Sequence, residues 1–173
     1  MKTNLVVMCI NPNTADEVGK LLAQQLSMYY LNTTELFKFD HIPHTIEEFI
    51  ETRKEKGYRE LEEGTISYAS SFYNTIMAVD SGVVKSEKNI EKLQKGGYII
   101  HIRLDVKKTK KALDSALYDN ETIRKFYAVS ENSLAVRQAK MKECADIEIS
   151  GNCKSNLKIC ADVIRAIRKK WSN

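Results

Sequence analysis

The sequence predicts an α/β fold in three layers, with helices on both faces of a central, mostly parallel five-stranded sheet. Three observations lead there: short apolar runs without polar alternation, amphipathic segments between them, and no repeat, low-complexity tract or linker in a chain with only two prolines. An unalternating apolar run suits a strand covered on both sides, and strands that alternate with helices form parallel sheets. One domain over residues 1–173 is the simplest organisation.

Asn4 to Ile10 (NLVVMCI) is the first such run. The helix that follows carries Val18, Leu21, Leu22 and Leu26 at helical spacing, opened by Thr14 and closed near Ser27. Tyr29 to Leu31 is a second strand, ending in Asn32-Thr33-Thr34. Ile46 to Ser71 reads as two helices broken near Gly57, with Ile46, Phe49 and Ile50, then Leu61, Thr65, Tyr68 and Phe72, marking the inner faces. The aromatic group Tyr68, Phe72 and Tyr73 is expected in the core. Strands return at Thr75 to Val79 and Tyr98 to Leu104, separated by a short helix around Ser86 to Leu93. Lys107 to Leu117 and Ser133 to Cys144 are helical, Asp146 to Ser150 is the fifth strand, and Ser155 to Lys170 is the last helix. Ligands in such sheets bind at the carboxyl ends of strands, so the loops after the strands carry the functional reading.

Composition narrows the classes of function. Twenty-seven basic and 23 acidic residues leave a net charge of +4, too small and too interspersed to point to nucleic acid or an anionic membrane as a partner. The lysines at 107, 108, 110 and 111 read as a solvated helix face. No run reaches the ~18 apolar residues of a membrane span, and the opening MKTNLVVMCINPN is too short in apolar residues for a secretory signal, so a cytoplasmic location is expected. Cys9, Cys144, Cys153 and Cys160 form no CxxC pair and have no histidine nearby; they read as buried or inert thiols, and no metal site is expected.

The first post-strand loop, Cys9-Ile10-Asn11-Pro12-Asn13-Thr14-Ala15-Asp16, stands where a phosphate-binding loop would, and Val18-Gly19-Lys20-Leu21-Leu22-Ala23 follows it. With Asn32-Thr33-Thr34-Glu35-Leu36, Tyr58-Arg59-Glu60-Leu61-Glu62, Asp80-Ser81-Gly82-Val83-Val84, Val136-Arg137 and Glu143-Cys144-Ala145-Asp146-Ile147, this ordered series resembles the shikimate kinases over most of the chain. The resemblance implies a phosphate loop G-x-x-x-x-G-K-[ST], whose lysine neutralises phosphate and whose hydroxyl holds magnesium. The corresponding residues here are Cys9, Thr14, Ala15 and Asp16, and none matches. Thr14-Ala15-Asp16-Glu17 instead fits a capping box, which would place anions where phosphates should dock.

The family's D-T-D segment, which holds magnesium and substrate hydroxyls, corresponds to Asn32-Thr33-Thr34. Both carboxylates are replaced by neutral groups, leaving no evident general base. The carboxylate-binding part is better kept. Arg59 and Arg137 fall on the two family arginines, and Gly82 survives from the triple glycine while Asp80 and Ser81 replace the rest. Arg124 is the candidate for the arginine of the family's lid.

The resemblance and its departures together suggest a kinase-like protein without ATP or magnesium chemistry, a pseudokinase. It would retain a small-carboxylate pocket formed by Arg59, Arg137, Gly82, Thr34 and Asn32, and no cofactor is expected. The alternative is an active ATP- and magnesium-dependent small-molecule kinase with a non-standard phosphate site, Lys20, Lys85 or Arg124 standing in for the missing lysine. A third reading is a pure interaction module with both sites closed, its protein partner undefined.

Overall fold

The computed structural model describes residues 2–36, 46–115 and 130–171. In chain order the elements are β1 (Asn4–Cys9), α1 (Pro12–Leu26), β2 (Tyr29–Asn32), α2 (Ile46–Ala69), β3 (Thr75–Val79), a 3-10 turn (Ser81–Lys85), α3 (Glu87–Gly96), β4 (Gly97–Arg103), α4 (Val106–Ser115), α5 (Glu131–Cys144), β5 (Ile147–Ser150) and α6 (Asn156–Trp171). The five strands form one parallel sheet in the order β2-β3-β1-β4-β5. This is the three-layer α/β fold the sequence predicts.

Each central strand sends alternate side chains to two cores. Leu5, Val7 and Cys9 of β1 join α1 and α6 through Val18, Leu22, Val163 and Ile167. Val6 and Met8 face the other way, onto Ile66, Leu93, Leu134 and Met141 of α2, α3 and α5. All six residues of β1 are buried, which explains why its sequence shows no alternation. Burying each such side chain stabilises the fold by roughly 1.5–3 kcal/mol.

Four expectations are corrected. First, α2 runs unbroken through Gly57 from Ile46 to Ala69; one glycine costs a helix about 1 kcal/mol, which tertiary packing absorbs. Second, α1 starts at Pro12, with Asn11 as its cap, and not at Thr14. Proline is well suited to a first helical position, where its missing N–H is not needed. Third, Tyr68, Phe72 and Tyr73 are exposed, Tyr73 to 75%; α2 ends at Ala69, and Tyr68 and Phe72 meet edge to face, 5.2 Å between ring centres. Fourth, Cys153 is exposed, whereas Cys9 and Cys160 are buried and Cys144 is half-buried. Among the described residues no helix is long and apolar enough to cross a membrane.

Candidate functional site

The loops that leave the carboxyl ends of β1, β2 and β3 bring most of the sequence-predicted residues to one end of the sheet. In β2 and β3, Asn32 lies in register with Ala78, so the chain after each strand emerges at the same level. The Thr33 hydroxyl ties the two ends by donating to the Ala78 carbonyl at 3.3 Å.

On the β1 side, the short connection from Cys9 to Pro12 passes directly into α1. The Asn11 side chain accepts from the backbone N–H of Asn13 (3.0 Å) and of Thr14 (3.5 Å). Asn11 therefore satisfies donors that a helix start leaves open, and the expected capping box between Thr14 and Glu17 does not form. The Glu17 carboxylate accepts from the side-chain amide of Asn156. Ala15 is buried among the core residues of α1. Cys9 is fully buried, its thiol pushed up to about 12 by burial, so it is an inert part of the core.

Asp16 lies in the second turn of α1 and turns toward β2. One carboxylate oxygen accepts from the Tyr30 hydroxyl (2.7 Å) and from the Asn32 side-chain amide (2.6 Å); the other accepts from Lys20 (2.6 Å). Partial burial raises the Asp16 carboxyl, but these three donors outweigh it and hold it below the ordinary carboxylate range. Gly19 makes the approach possible, since a Cβ there would stand 2.8 Å from the Tyr30 ring. Asn32 passes the constraint on: its amide oxygen accepts from the backbone of Thr34 (2.9 Å) and Glu35 (3.3 Å).

The β3 side gathers the arginines. Arg59 of α2 pairs with Glu62 at 2.9 Å and lies over the Tyr58 ring, 5.1 Å from its centre. Its guanidinium crosses Gly82 so closely that a Cβ on Gly82 would meet it at 2.8 Å. Arg137 of α5 donates to the Ser81 hydroxyl at 2.8 Å. Two arginines from different helices thus converge on one turn, Ser81-Gly82. Asp80 caps that turn by accepting from the Gly82 N–H at 2.6 Å. Thr34 lines a narrow cleft together with Tyr58, Glu62, Thr65 and Asp80.

Glu62 was not singled out from the sequence. Burial pushes its carboxyl up, Asp80 adds to the rise, and Arg59 opposes it. The i,i+3 spacing from Arg59 was the available signal. Tyr30 offered none. Arg124 lies outside the described residues. Among the described residues no three His, Cys, Asp or Glu side chains converge as a metal cluster.

Comparison with known proteins then identifies the lineage. The shikimate kinase family profile matches residues 16–168. The chain is 29% identical over 136 residues to the shikimate kinase of Psychrobacter sp. (strain PRwf-1), covering 76% of this chain and 73% of that one. Similar solved structures include shikimate kinase from Acinetobacter baumannii in complex with shikimate, with TM-score 0.81, 18% identity, and 98% and 95% of the two chains covered. Another is shikimate kinase from Aquifex aeolicus vf5, with TM-score 0.79, 15% identity, and 97% and 98% covered. The chain belongs to the shikimate kinase family. The family match, with matched relatives that are shikimate kinases by name, overturns the expectation of a pseudokinase that has no cofactor and little or no phosphotransfer. The capping box on which that expectation drew is also absent, since Asn11 caps α1 and Glu17 bonds Asn156.

Proposed function

We propose that this member of the shikimate kinase family is an active ATP-dependent small-molecule kinase with a non-standard phosphate site, acting on a hydroxylated carboxylic acid of the shikimate class. The observation that carries the reading is the convergence of Arg59 and Arg137 on the Ser81-Gly82 turn. Planar guanidinium groups grip a carboxylate through paired charge-assisted bonds, and Gly82 leaves room for the Arg59 head. Glu62 holds Arg59 in place from below. Thr34 and Asn32 supply neutral hydrogen-bonding groups for ring hydroxyls.

The cofactors also have fitting partners. A hard divalent cation takes oxygen ligands and commonly uses one or two carboxylates plus phosphate oxygens. The Asp16 carboxylate stands in the place where the family carries a hydroxyl, and would act as such a donor by exchanging its Lys20 or Asn32 partner for the cation. The acid that position 32 lacks has its counterpart one helix away. The start of α1 offers the positive end of a helix dipole to phosphates, and Lys20, held by Asp16, is the cation we assign to them in place of a loop lysine. Bound magnesium–ATP would supply the transferable phosphoryl group and neutralise its charge. The chain acts as a single domain over residues 1–173; four free thiols fit a cytoplasmic setting.

A coupled assay with shikimate and magnesium–ATP tests this. The expected result is shikimate-dependent ADP release that disappears on chelation of magnesium and in Arg59→Ala. ADP release equal with and without shikimate, at saturating concentrations of both, would overturn it.

A further inference from the structure

A hydroxyl held for reaction needs an acceptor for its hydrogen bond, and a carboxylate is the strongest one a side chain offers. Position 34, where the resemblance places that carboxylate, carries Thr34. The structure places an acid beside it by another route. Asn32 and Ala78 are in register on neighbouring parallel strands, so Thr34 and Asp80 each stand two residues past paired positions at the same end of the sheet. Both line the same cleft.

Asp80 is held firmly there. One of its oxygens accepts from the Gly82 N–H at 2.6 Å, in the turn that Arg59 crosses and Arg137 reaches through Ser81. Its charge is felt by both members of the Arg59–Glu62 pair, favouring the charged guanidinium and opposing ionisation of the Glu62 carboxyl.

We infer that Asp80 is a specificity-determining residue that accepts a ring hydroxyl of the bound acid, doing from the end of β3 what a carboxylate at position 34 would do from the end of β2. The inference rests on the proposed small-molecule kinase reading and names which residue selects a hydroxylated ring acid over a bare one. Asp80 and Thr34 thus form an exchanged pair: beside the Arg59-bound Glu62, the acid free to meet a hydroxyl stands on the strand next to position 34.

Calorimetric titration without nucleotide separates this inference from the reading beneath it. The probes are shikimate and 1-cyclohexene-1-carboxylate, which keeps the carboxylate and lacks the hydroxyls. Asp80→Asn preserves an oxygen for the Gly82 N–H and removes only the charge. It is expected to weaken shikimate by about 10- to 100-fold, the span of a hydrogen bond to a charged group, and to leave the bare acid unchanged. Adding Thr34→Asp to Asp80→Asn is expected to restore shikimate binding, which a merely structural role for Asp80 would not allow. If Asp80→Asn binds shikimate as the wild type does, or loses both acids equally with no recovery on adding Thr34→Asp, the inference is wrong while the kinase reading stands. If the wild type binds neither acid, both fall.

Discussion

At the end of β3 two arginines from different helices converge on the Ser81-Gly82 turn beside Asp80; at the start of α1 the chain winds directly from β1 into a helix capped by Asn11. The first region is assembled over long distances, with Arg137 reaching Ser81 across 56 residues of sequence. The second is assembled from α1 and the adjoining β2, through Asp16, Lys20, Tyr30 and Asn32. The contrast teaches that the β3 side is held by partners far apart in sequence, whereas the α1 side rests on near neighbours of one helix and one strand. It also separates the effects of substitution: β3-side variants should act on the acid, α1-side variants on the nucleotide.

The largest effect is expected at Arg59. Arg59→Ala leaves Glu62 buried without its cation, so chemical denaturation should show a loss of about 3–5 kcal/mol. Shikimate binding should vanish with it. Adding Glu62→Leu should recover the stability and not the binding; recovery of both would break the assignment of Arg59 to the acid.

Asp16→Ala comes next. It removes the common acceptor of Lys20, Tyr30 and Asn32, and turnover at saturating shikimate should fall about 10²-fold, the scale of one lost pre-organised electrostatic group. Calorimetry should find shikimate binding unchanged. A parallel loss of shikimate affinity would erase the division between the two regions. Arg137→Ala should be milder than Arg59→Ala, because removing Arg59 also takes the counter-charge from the largely buried Glu62. A loss of about 1.5 kcal/mol in shikimate binding, roughly tenfold, is expected by titration.

The smallest effect is a pH dependence. Asp16 is held below its unfolded value, near 3.9. The folded state therefore gains stability from it above that pH and loses the gain as pH falls through the lower folded value. Thermal melts of the wild type and Asp16→Asn should separate above about pH 4 and converge as the pH falls through the lower folded value. A constant difference across that range would mean the charge of Asp16 contributes nothing to the fold.

Much of the architecture was legible because it rests on local pattern. β3 falls on Thr75–Val79 as read from the sequence, since a short apolar run between turn residues leaves little choice. The start of α1 carries two competing signals: Asn11-Pro12 combines a strong cap with a favoured first helical residue, whereas Thr14 to Glu17 has the pattern of a capping box. The exposure of Tyr68 and Tyr73 was not legible, because helical spacing defines a face without telling how far along the helix that face stays covered. Asp16 posed a third kind of difficulty. As sequence it reads as an anion at a helix start, and only the β2–β3–β1 arrangement reveals that Tyr30 and Asn32 stand opposite it. Asp80 was readable as a departure from glycine; its shared level with Thr34 required the strand register.

The immediate passage from β1 into a helix capped by Asn11 has an entropic consequence. A flexible loop must be ordered when it wraps a ligand, at a cost of about 1–2 kcal/mol per residue fixed. Here the backbone from Pro12 onward is already fixed by folding, so little of that penalty is left for the moment of binding. If nucleotide docks at this helix start as proposed, it meets a backbone that need not be frozen on binding, and amide exchange along α1 should be slow before any ligand arrives.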